Sequence, residues 1–426
     1  MASGLRPDEE AHVGHNVRPR GGPPPPRGEE ETVNRILFRD VNTIATFDPE
    51  RRELRGGWLL VEGKWITALG EGPAPAGPFD EVIDGRDRVM IPGMVNTHHH
   101  LYQTLFRAVP GAQDKGLFEW LLFLYEKWRG IDEEAVRTSA IVGCLELLLS
   151  GCTTTTDHLY LFPRGKGKLT DLEIEAAGEV GIRFHPTRGS MSLSRDEGGL
   201  PPPDVVQEEE EILADSERLI AKWHDPSFGA MVRIALAPCS PFSVTQELMR
   251  ETAKLARKHA LLLHTHLAET RDEEEFCLSK FGMRPVDYLE SVDWLASDVW
   301  LAHLVHLTPD DITRLARAGV GMAHCPTSNM ILGSGIAPLP EVLTAGMAVG
   351  LGVDGSASND ASNMIREARQ AMLLARVRGG AEAMTPRQAL ELATLGGARV
   401  LHRDQELGSL EAAKCADLSL WDLSAL

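Results

Sequence analysis

The chain has 426 residues and a formal net charge of −19 at pH 7. This acidic balance argues against a nucleic-acid partner, because neutralising phosphates requires clustered lysine and arginine. Hydrophobic residues make up 43% of the chain and charged residues 25%, as in ordinary globular proteins, and the longest apolar clusters, such as residues 145–149, are too short to span a bilayer. We therefore expect a globular protein with no membrane association that acts on a small molecule.

Six scattered cysteines, without a Cys-x-x-Cys pair, are typical of a reducing compartment and predict a cytoplasmic location. The length accommodates one catalytic barrel of about 250 residues with appendages. We also expect the chain to form a homo-oligomer.

The amino-acid composition of the chain changes near residue 33. Residues 1–32 contain four consecutive prolines, scattered glycines and an acidic triplet, and we predict that they form a disordered extension. Between residues 33 and 90, short β-like runs at 36–38, 59–61 and 65–67 are separated by turn residues. These runs predict the N-terminal part of a small β-sandwich domain.

A histidine triplet closes the next apolar run, since residues 94–101 read Met-Val-Asn-Thr-His-His-His-Leu. Such triplets also occur in solvated loops, but the apolar flank and its Pro-Gly step favour a strand that enters a core. Because alternate side chains of a strand share a face, His98 and His100 should point together and His99 away. Two converging imidazoles suit a borderline-soft metal such as zinc.

Beyond the triplet, apolar runs alternate with amphipathic stretches, of which 244–259 and 309–318 are predicted helices. The apolar runs that end in a histidine or an aspartate lie at 261–266, 299–303, 321–324 and 349–354. This alternation predicts a parallel sheet, and polar strand ends are typical of a (β/α)8 barrel, which we assign to residues 91–400. An open doubly wound sheet is the alternative, but no Gly-rich phosphate loop follows the first strand.

Five residues at these strand ends form a candidate catalytic metal site. They are His98, His100, His266, His303 and Asp354. Three imidazoles and one carboxylate leave a position for water, whose pKa a zinc ion lowers towards about 7 so that hydroxide becomes available. Asp354 could both ligate the metal and take a proton from that water. His303 could hydrogen-bond the same water or ligate weakly, and both alternatives stay open.

Other polar residues near these strand ends have competing interpretations. Glu269 follows His266 at the spacing His-x-x-Glu, where a carboxylate could shuttle protons to substrate or be a charge favoured at a helix N-terminus. His264 lies deeper in the same strand, and it could be a core hydrogen-bonded histidine or a ligand. We expect His324 to line the mouth of the site without binding metal, and Cys325 to be a small buried residue.

Several motifs fall into one recognisable pattern. They are His98-x-His100, His266-x-x-Glu269, His303, His324-Cys325-Pro326-x-Ser328-Asn329 and Gly352-Val353-Asp354-Gly355. Together they resemble the amidohydrolase superfamily, in its cytosine, guanine and triazine deaminase branch. The stretches at 95–103, 150–160, 237–243 and 354–360 are similar to those of 8-oxoguanine deaminases and hydroxydechloroatrazine ethylaminohydrolases.

The resemblance implies an aminohydrolase that removes an amine from a heteroaromatic ring by attack of a hydroxide on one metal ion per chain, zinc or alternatively iron. The residues implied to bind the metal are His98, His100, His266 and Asp354. Glu269 would protonate a ring nitrogen and His303 would orient the water. The expected reaction converts 8-oxoguanine and water to urate and ammonia. Alternatives are guanine, pterin or triazine-type substrates, including alkylamine or chloride leaving groups, and a catalytically silent homologue.

Substrate contacts are predicted at four positions besides Glu269. Gln103 could pair with a ring edge, and Arg188 could meet a carbonyl or anionic ring oxygen, although either residue could equally be structural. Trp120 and Tyr160 could stack on a flat ring, although an aromatic residue in an apolar stretch is more often part of a core.

The last segment, residues 401–426, is predicted to begin a return to the β domain. In the related family the chain continues further after the barrel and completes that domain. The resemblance therefore implies that the satellite sheet lacks strands here and exposes an edge.

Overall fold

The computed structural model describes residues 33–166 and 168–424, so the predicted disordered extension over residues 1–32 lies outside the described residues. Eight parallel strands close into a barrel, and six further strands form a separate sheet. The predicted (β/α)8 barrel with a small β domain is confirmed. None of the helices in the described part of the chain is long and apolar enough to cross a membrane.

The small sheet is built from both ends of the described chain. Its strands are β1 (Arg35–Ala45), β2 (Glu53–Glu62), β3 (Trp65–Gly70), β4 (Glu81–Asp84), β5 (Arg88–Pro92) and β14 (Leu418–Asp422). The strand order is β14-β5-β1-β2-β3, and β4 pairs with β1. Strand β14 runs antiparallel to β5 with Leu420 opposite Met90. The chain therefore returns to the first sheet after the barrel, and β14 forms one edge of that sheet.

The barrel strands place one face inward and the other against the surrounding helices. They are β6 (Met94–Asn96), β7 (Cys152–Leu159), β8 (Arg183–Ser190), β9 (Ala235–Pro238), β10 (Leu263–Leu267), β11 (Val299–His303), β12 (Gly321–His324) and β13 (Val349–Leu351). In β10, Leu263 and Leu267 pack in the large core between strands and helices. The alternation of the strand therefore turns His264 and His266 into the barrel.

The helices mostly follow the strands in chain order. They are α1 (Leu117–Trp128), α2 (Glu133–Leu149), α3 (Leu169–Val180), α4 (Glu209–Trp223), α5 (Gln246–Lys258), α6 (Arg271–Phe281), α7 (Pro285–Ser291), α8 (Pro309–Ala318), α9 (Pro326–Ile331), α10 (Leu339–Thr344), α11 (Met364–Gly379), α12 (Pro386–Glu391) and α13 (Gly397–Val400). Short 3₁₀ turns lie at Leu101–Phe106, Pro110–Ala112 and Arg195–Glu197, and a π-helical turn at Leu392–Gly396.

Helix α8 has the bounds expected from its sequence because both ends carry capping residues. The Thr308 hydroxyl accepts from the Asp311 amide at the N-terminus, and Gly319 ends the helix in the left-handed conformation. The predicted helix at 309–318 and the predicted strands at 299–303 and 321–324 are confirmed to the residue.

Candidate active site

The histidine triplet lies just beyond the first barrel strand, since β6 ends at Asn96. The rings of His98 and His100 converge, with centroids 4.7 Å apart, whereas His99 turns away and its Nε2 lies 2.9 Å from Ser362 Oγ. His98 and His100 therefore point together and His99 points away, as the sequence predicts. All three rings are buried.

Hydrogen bonds to carbonyl oxygens fix the tautomers of His100 and His266. The Nδ1 atom of His100 donates to the carbonyl oxygen of His158 at 2.7 Å, and Nδ1 of His266 donates to that of Cys239 at 2.6 Å. A neutral imidazole has one proton, so both Nε2 atoms carry a bare lone pair. Burial lowers the pKa of both rings, that of His266 to about 3, which keeps them neutral.

A relay of two hydrogen bonds fixes the tautomer of His98 in the same way. The Nδ1 atom of His264 donates to the carbonyl oxygen of Trp300 at 2.9 Å. Its Nε2 must therefore accept from Nδ1 of His98, at 2.8 Å, which leaves Nε2 of His98 bare. Both ring nitrogens of His264 are engaged in these bonds, so this residue is the core hydrogen-bonded histidine of the two alternatives.

The three bare nitrogens and one carboxylate face each other at short range. The Nε2 atoms of His100 and His266 are 3.1 Å apart, and Oδ1 of Asp354 lies 3.3 Å from Nε2 of His98 and 3.4 Å from that of His100. Among the described residues no hydrogen-bond donor reaches Nε2 of His98. Four acceptors so close repel one another unless a cation lies between them.

These residues therefore fit a metal ion. Nitrogens bound tetrahedrally to zinc with bonds of about 2.0–2.1 Å are about 3.3 Å apart, close to the separations found here. Each histidine presents Nε2 to the centre while its Nδ1 is held by a carbonyl oxygen or another ring, as in known zinc sites. Burial raises the pKa of Asp354, but its three neighbouring imidazoles, His98, His100 and His303, outweigh that effect and hold the pKa well below its usual value.

Glu269 and His303 stand on one side of this centre. The His303 ring is held by a hydrogen bond of 2.9 Å from Nδ1 to Oδ1 of Asn329, and its Nε2 lies 3.5 Å from Glu269 Oε2 and 3.9 Å from Asp354 Oδ2. Burial raises the pKa of Glu269 to about 7. Burial lowers the pKa of His303, but the two carboxylates outweigh it and the pKa is raised. The pair is thus suited to proton transfer near neutral pH.

Glu269 does not lie in the first turn of a helix, the alternative considered for it. Helix α6 begins at Arg271, with Thr270 as its N-cap. Glu273 instead binds the backbone just before the helix, since its carboxylate accepts from the amides of Ala268 and Glu269, each at 2.8 Å. The Glu269 side chain is left free to face the cavity.

A cavity of about 380 Å³ opens onto these groups. Of the predicted substrate contacts, Gln103, Trp120, Tyr160 and Glu269 line it, together with apolar residues of α1. No hydrogen-bond donor in the described part of the chain reaches the buried Oε1 of Gln103. The cavity thus combines apolar and aromatic walls with polar groups, as small-molecule sites commonly do.

Comparisons with known proteins bear on this geometry. The model of the Amidohydrolase family matches residues 89–426. The chain is 52% identical to 8-oxoguanine deaminase of Pseudomonas aeruginosa over 385 residues, which cover 90% of this chain and 86% of that protein. The chain belongs to the amidohydrolase family. The predicted amidohydrolase-type enzyme acting on carbon–nitrogen bonds is thereby confirmed.

Two further relatives of this amidohydrolase extend the comparison. Hydroxydechloroatrazine ethylaminohydrolase of Pseudomonas sp. strain ADP is 36% identical over 92% of this chain and 83% of its own length. The crystal structure of atrazine chlorohydrolase from Arthrobacter aurescens TC1, complexed with zinc, superposes with a TM-score of 0.87 at 35% identity. That superposition covers 91% of this chain and 87% of the other.

Arg188 is the one predicted substrate contact that the structure does not bring to the cavity of this amidohydrolase. Its guanidinium faces the helices outside the barrel, where it binds Asp215 (2.9 Å), Gln207 (2.9 Å) and the Gly189 carbonyl oxygen (2.5 Å) and lies over the ring of Phe162. Every residue of β8 is buried, so the sequence pattern does not reveal which face Arg188 occupies. Its hydrogen bonds are those of a structural residue.

His158 is a site residue that the sequence reasoning missed. Its candidate ligand atom lies within 4.8 Å of those of His98, His100 and His266, and its ring stacks on that of His266 at 4.9 Å. Its Nε2 donates to the carbonyl oxygen of Ala237 at 2.9 Å. His158 stands near the end of barrel strand β7, as the other candidates do on their strands, and this position could have identified it.

The two residues of the His324-Cys325 step differ in placement. His324 is buried at the end of β12 and is not among the described residues that line the cavity, so its predicted place at the mouth is wrong. Cys325 is buried as expected, and burial raises the pKa of its thiol. Its sulfur nevertheless lies within 4.8 Å of the ligand atoms of His98 and Asp354.

Proposed function

We propose that this amidohydrolase is a zinc-dependent deaminase of an aminated heteroaromatic ring, and that its substrate is 8-oxoguanine. The proposal rests chiefly on one observation, the convergence of three bare imidazole nitrogens and the Asp354 carboxylate beside Glu269. The 52% identity to an 8-oxoguanine deaminase supports the substrate, and the zinc in the similar triazine-hydrolysing structure supports the metal.

His98, His100, His266 and Asp354 would hold the zinc ion. When bound there, zinc supplies a Lewis acid that lowers the pKa of water towards about 7. In the reaction the amino-bearing ring carbon gains the oxygen of water and loses its nitrogen as ammonia, so that 8-oxoguanine and water give urate and ammonia.

Glu269 moves the protons in this scheme. Its pKa of about 7 lets it exist in both protonation states near neutral pH, so that it can accept a proton and deliver it to a ring nitrogen. The Oε1 atom of Glu269 is buried and accepts no hydrogen bond from the described residues, which leaves it available to a substrate. His303, held by Asn329, lies between Glu269 and Asp354 and orients the attacking water.

Gln103 would select the ring edge. Its amide lines the cavity with an unpaired oxygen, and a Cβ atom at Gly355 would lie 1.9 Å from that oxygen. Glycine at position 355 therefore leaves room for the amide. A buried acceptor of this kind favours ligands that donate an N–H and disfavours ligands that cannot. Trp120 and Tyr160 contribute aromatic walls suited to a flat ring.

The test is release of ammonia from a panel of aminated rings, with zinc supplied and product identified by mass spectrometry. We expect 8-oxoguanine to be converted to urate by the wild-type protein and far more slowly by Glu269→Gln with equal zinc content. Conversion of guanine, a pterin or a triazine instead would correct the substrate, and loss of an alkylamine or chloride would correct the leaving group. Full zinc occupancy without turnover of any compound would contradict deamination and favour a silent homologue.

A further inference from the structure

A second polar cavity lies at the opposite end of the barrel from the candidate active site. It has a volume of about 510 Å³, part of which is open to solvent, and it is lined near the beginnings of barrel strands, by His185 in β8, by Arg233 and Ile234 just before β9, and by Leu262 just before β10. The candidate metal ligands, in contrast, follow the strand ends. The two cavities are therefore separated by the length of the barrel.

The polar side chains around this second cavity are all basic or imidazole. Its described lining contains His185, His224, Arg233 and His402, with apolar residues between them and no carboxylate. Arg233 of the lining and Arg403, which lies outside it, both bind the carboxylate of Glu406, at 2.5 and 2.7 Å. One carboxylate thus binds two guanidinium groups, and the nearby carboxylate of Asp225 also interacts with Arg233 and His224.

Several nitrogens around the cavity have no partner within the described part of the protein. The His185 side chain is only 2% exposed, yet its Nδ1 atom has no hydrogen-bond partner there. Nε of Arg233 and Nη1 of Arg403 are likewise buried and unpaired in those residues. Leaving charged donors unpaired in this way is costly, so a group that accepts hydrogen bonds is expected between them.

His224 adds a fourth donor. Its Nδ1 accepts from the amide of Ile234 at 3.1 Å, so in the neutral ring the proton lies on Nε2. The pKa of His185 is lowered well below its usual value, first by burial and then by the charges of Arg403 and Arg233. The rings of His224 and His402 lower it further. The described lining of the cavity therefore offers guanidinium and imidazole groups and no carboxylate.

We propose that this cavity binds a small oxyanion of the phosphate class, held by Arg233, His185 and His224 with the charge of Arg403 behind them. Guanidinium and imidazole N–H groups around a carboxylate-free cavity are the chemistry that recognises such an anion. The ligand could be free inorganic phosphate or the phosphate group of a nucleotide, since both present the same oxygens. The site goes beyond the proposed deaminase function and is spatially separate from it.

The test is calorimetric titration of the zinc-loaded protein with inorganic phosphate at constant ionic strength, with adenosine monophosphate and acetate as further arms. We expect saturable binding of phosphate, and binding about tenfold weaker in Arg233→Gln and in His185→Gln, as for loss of one hydrogen bond to a charged group. Arg218→Gln, which alters a guanidinium on α4, is the matched control and should bind phosphate normally.

Each outcome bears on the proposal. Tighter binding of adenosine monophosphate than of phosphate would identify the ligand as a nucleotide phosphate, whereas equal binding of acetate would overturn selectivity for phosphate. If Arg233→Gln or His185→Gln fails to fold, His224→Gln provides the test. The glutamine amide oxygen can accept from the Ile234 amide in place of Nδ1, so the variant should fold, and loss of the Nε2 donor should weaken phosphate binding. Absence of saturable phosphate binding up to about 10 mM, or binding unchanged in all three variants, would overturn the site. Deamination should be unchanged in His224→Gln.

Discussion

The two ends of the barrel contain buried histidines with opposite hydrogen-bonding roles. At the carboxyl end, His98, His100 and His266 turn bare nitrogens towards one another and towards Asp354. At the amino end, His185 lies near two guanidinium groups, Arg233 and Arg403, each with one N–H donor that is unpaired in the described residues. Burial lowers the pKa of histidines at both ends. The difference teaches that the partners of a buried imidazole, and not its burial, decide whether its site attracts a cation or an anion.

The carbonyl oxygens at the carboxyl ends of the strands explain the difference. They accept the Nδ1 protons of His100 and His266 and, through His264, orient His98, so that only lone pairs remain for the centre. At the amino end, Nδ1 of His185 has no hydrogen-bond partner among the described residues. Experiments that interchange or remove these groups should affect the two ends independently.

The largest expected effect follows from His266→Ala. Removing one of the three bare nitrogens should lower the zinc content of the purified protein from about one per chain to well below that and reduce deamination by at least about 10³-fold, because water then keeps its high pKa. His185→Ala removes an equally buried histidine from the other end and should retain zinc and activity. Metal analysis of both variants checks this prediction. Equal zinc loss in the two variants would contradict the claim that only the carboxyl end of the barrel binds the metal.

Glu269→Gln should leave zinc binding intact and lower kcat by about 10²–10⁴-fold. The amide keeps the shape of the side chain but cannot exchange protons near neutral pH, which is the contribution expected of a general acid or base. Steady-state kinetics with metal analysis measure both properties. A variant with full zinc content and nearly wild-type kcat would remove Glu269 from the proton path.

Gln103→Leu should raise KM for the ring substrate by about tenfold, with zinc content and folding unchanged, because the leucine cannot accept a hydrogen bond from the ring. Arg188→Lys is the matched comparison. It should lower the free energy of unfolding by about 1–3 kcal/mol through lost hydrogen bonds to Asp215 and Gln207 and leave KM unchanged. A raised KM for Arg188→Lys with unaltered stability would place Arg188 in the substrate site after all.

The smallest expected effect is on stability, and it concerns two buried acidic residues, Asp157 and Glu173, near the carboxyl end of the barrel. Burial raises the pKa of Asp157 to about 7 and that of Glu173 well above its usual value, while Oδ1 of Asp157 accepts from the amide of Leu101 at 2.6 Å. An unfolded Asp titrates near 3.9, so the folded protein binds more protons between these values. Stability from Asp157 should be fully present below pH about 4 and lost as pH rises through about 7.

Asp157→Asn tests that sign, since the amide can still accept from Leu101. Urea unfolding of both proteins between pH 5 and 8 should show a decline of stability with pH that is less steep in the variant. Identical slopes in the two proteins would mean that Asp157 is ionised throughout the range.

The sequence predicted elements accurately where capping residues or strand-end polar residues marked them. Strands β11 and β12 and helix α8 have the predicted bounds. The predicted strand at 261–266 begins at Leu263 instead, because Leu261 is still bonded to the end of α5 through Ala256. The residues brought together at the candidate centre were all chosen from strand ends, since parallel strands converge there.

Other features depend on backbone detail that the sequence pattern does not carry. Strand alternation would point His303 to the same side as Leu301, which packs in the outer core, but His303 has φ of 74° and this turns its ring into the site. The uniformly buried strand β8 hides the outward direction of Arg188. The tautomers at the centre depend on contacts between residues more than 150 positions apart, such as His98 and His264.

The most direct measurement is deamination of 8-oxoguanine in water enriched in ¹⁸O by the zinc-loaded protein. The account predicts ammonia and urate in equal amounts, with one ¹⁸O atom in each urate, and formation of both products slowed about 10²–10⁴-fold with Glu269→Gln at equal zinc content. Ammonia without incorporation of ¹⁸O, or no ammonia from 8-oxoguanine or any related aminated ring at full zinc occupancy, would contradict it.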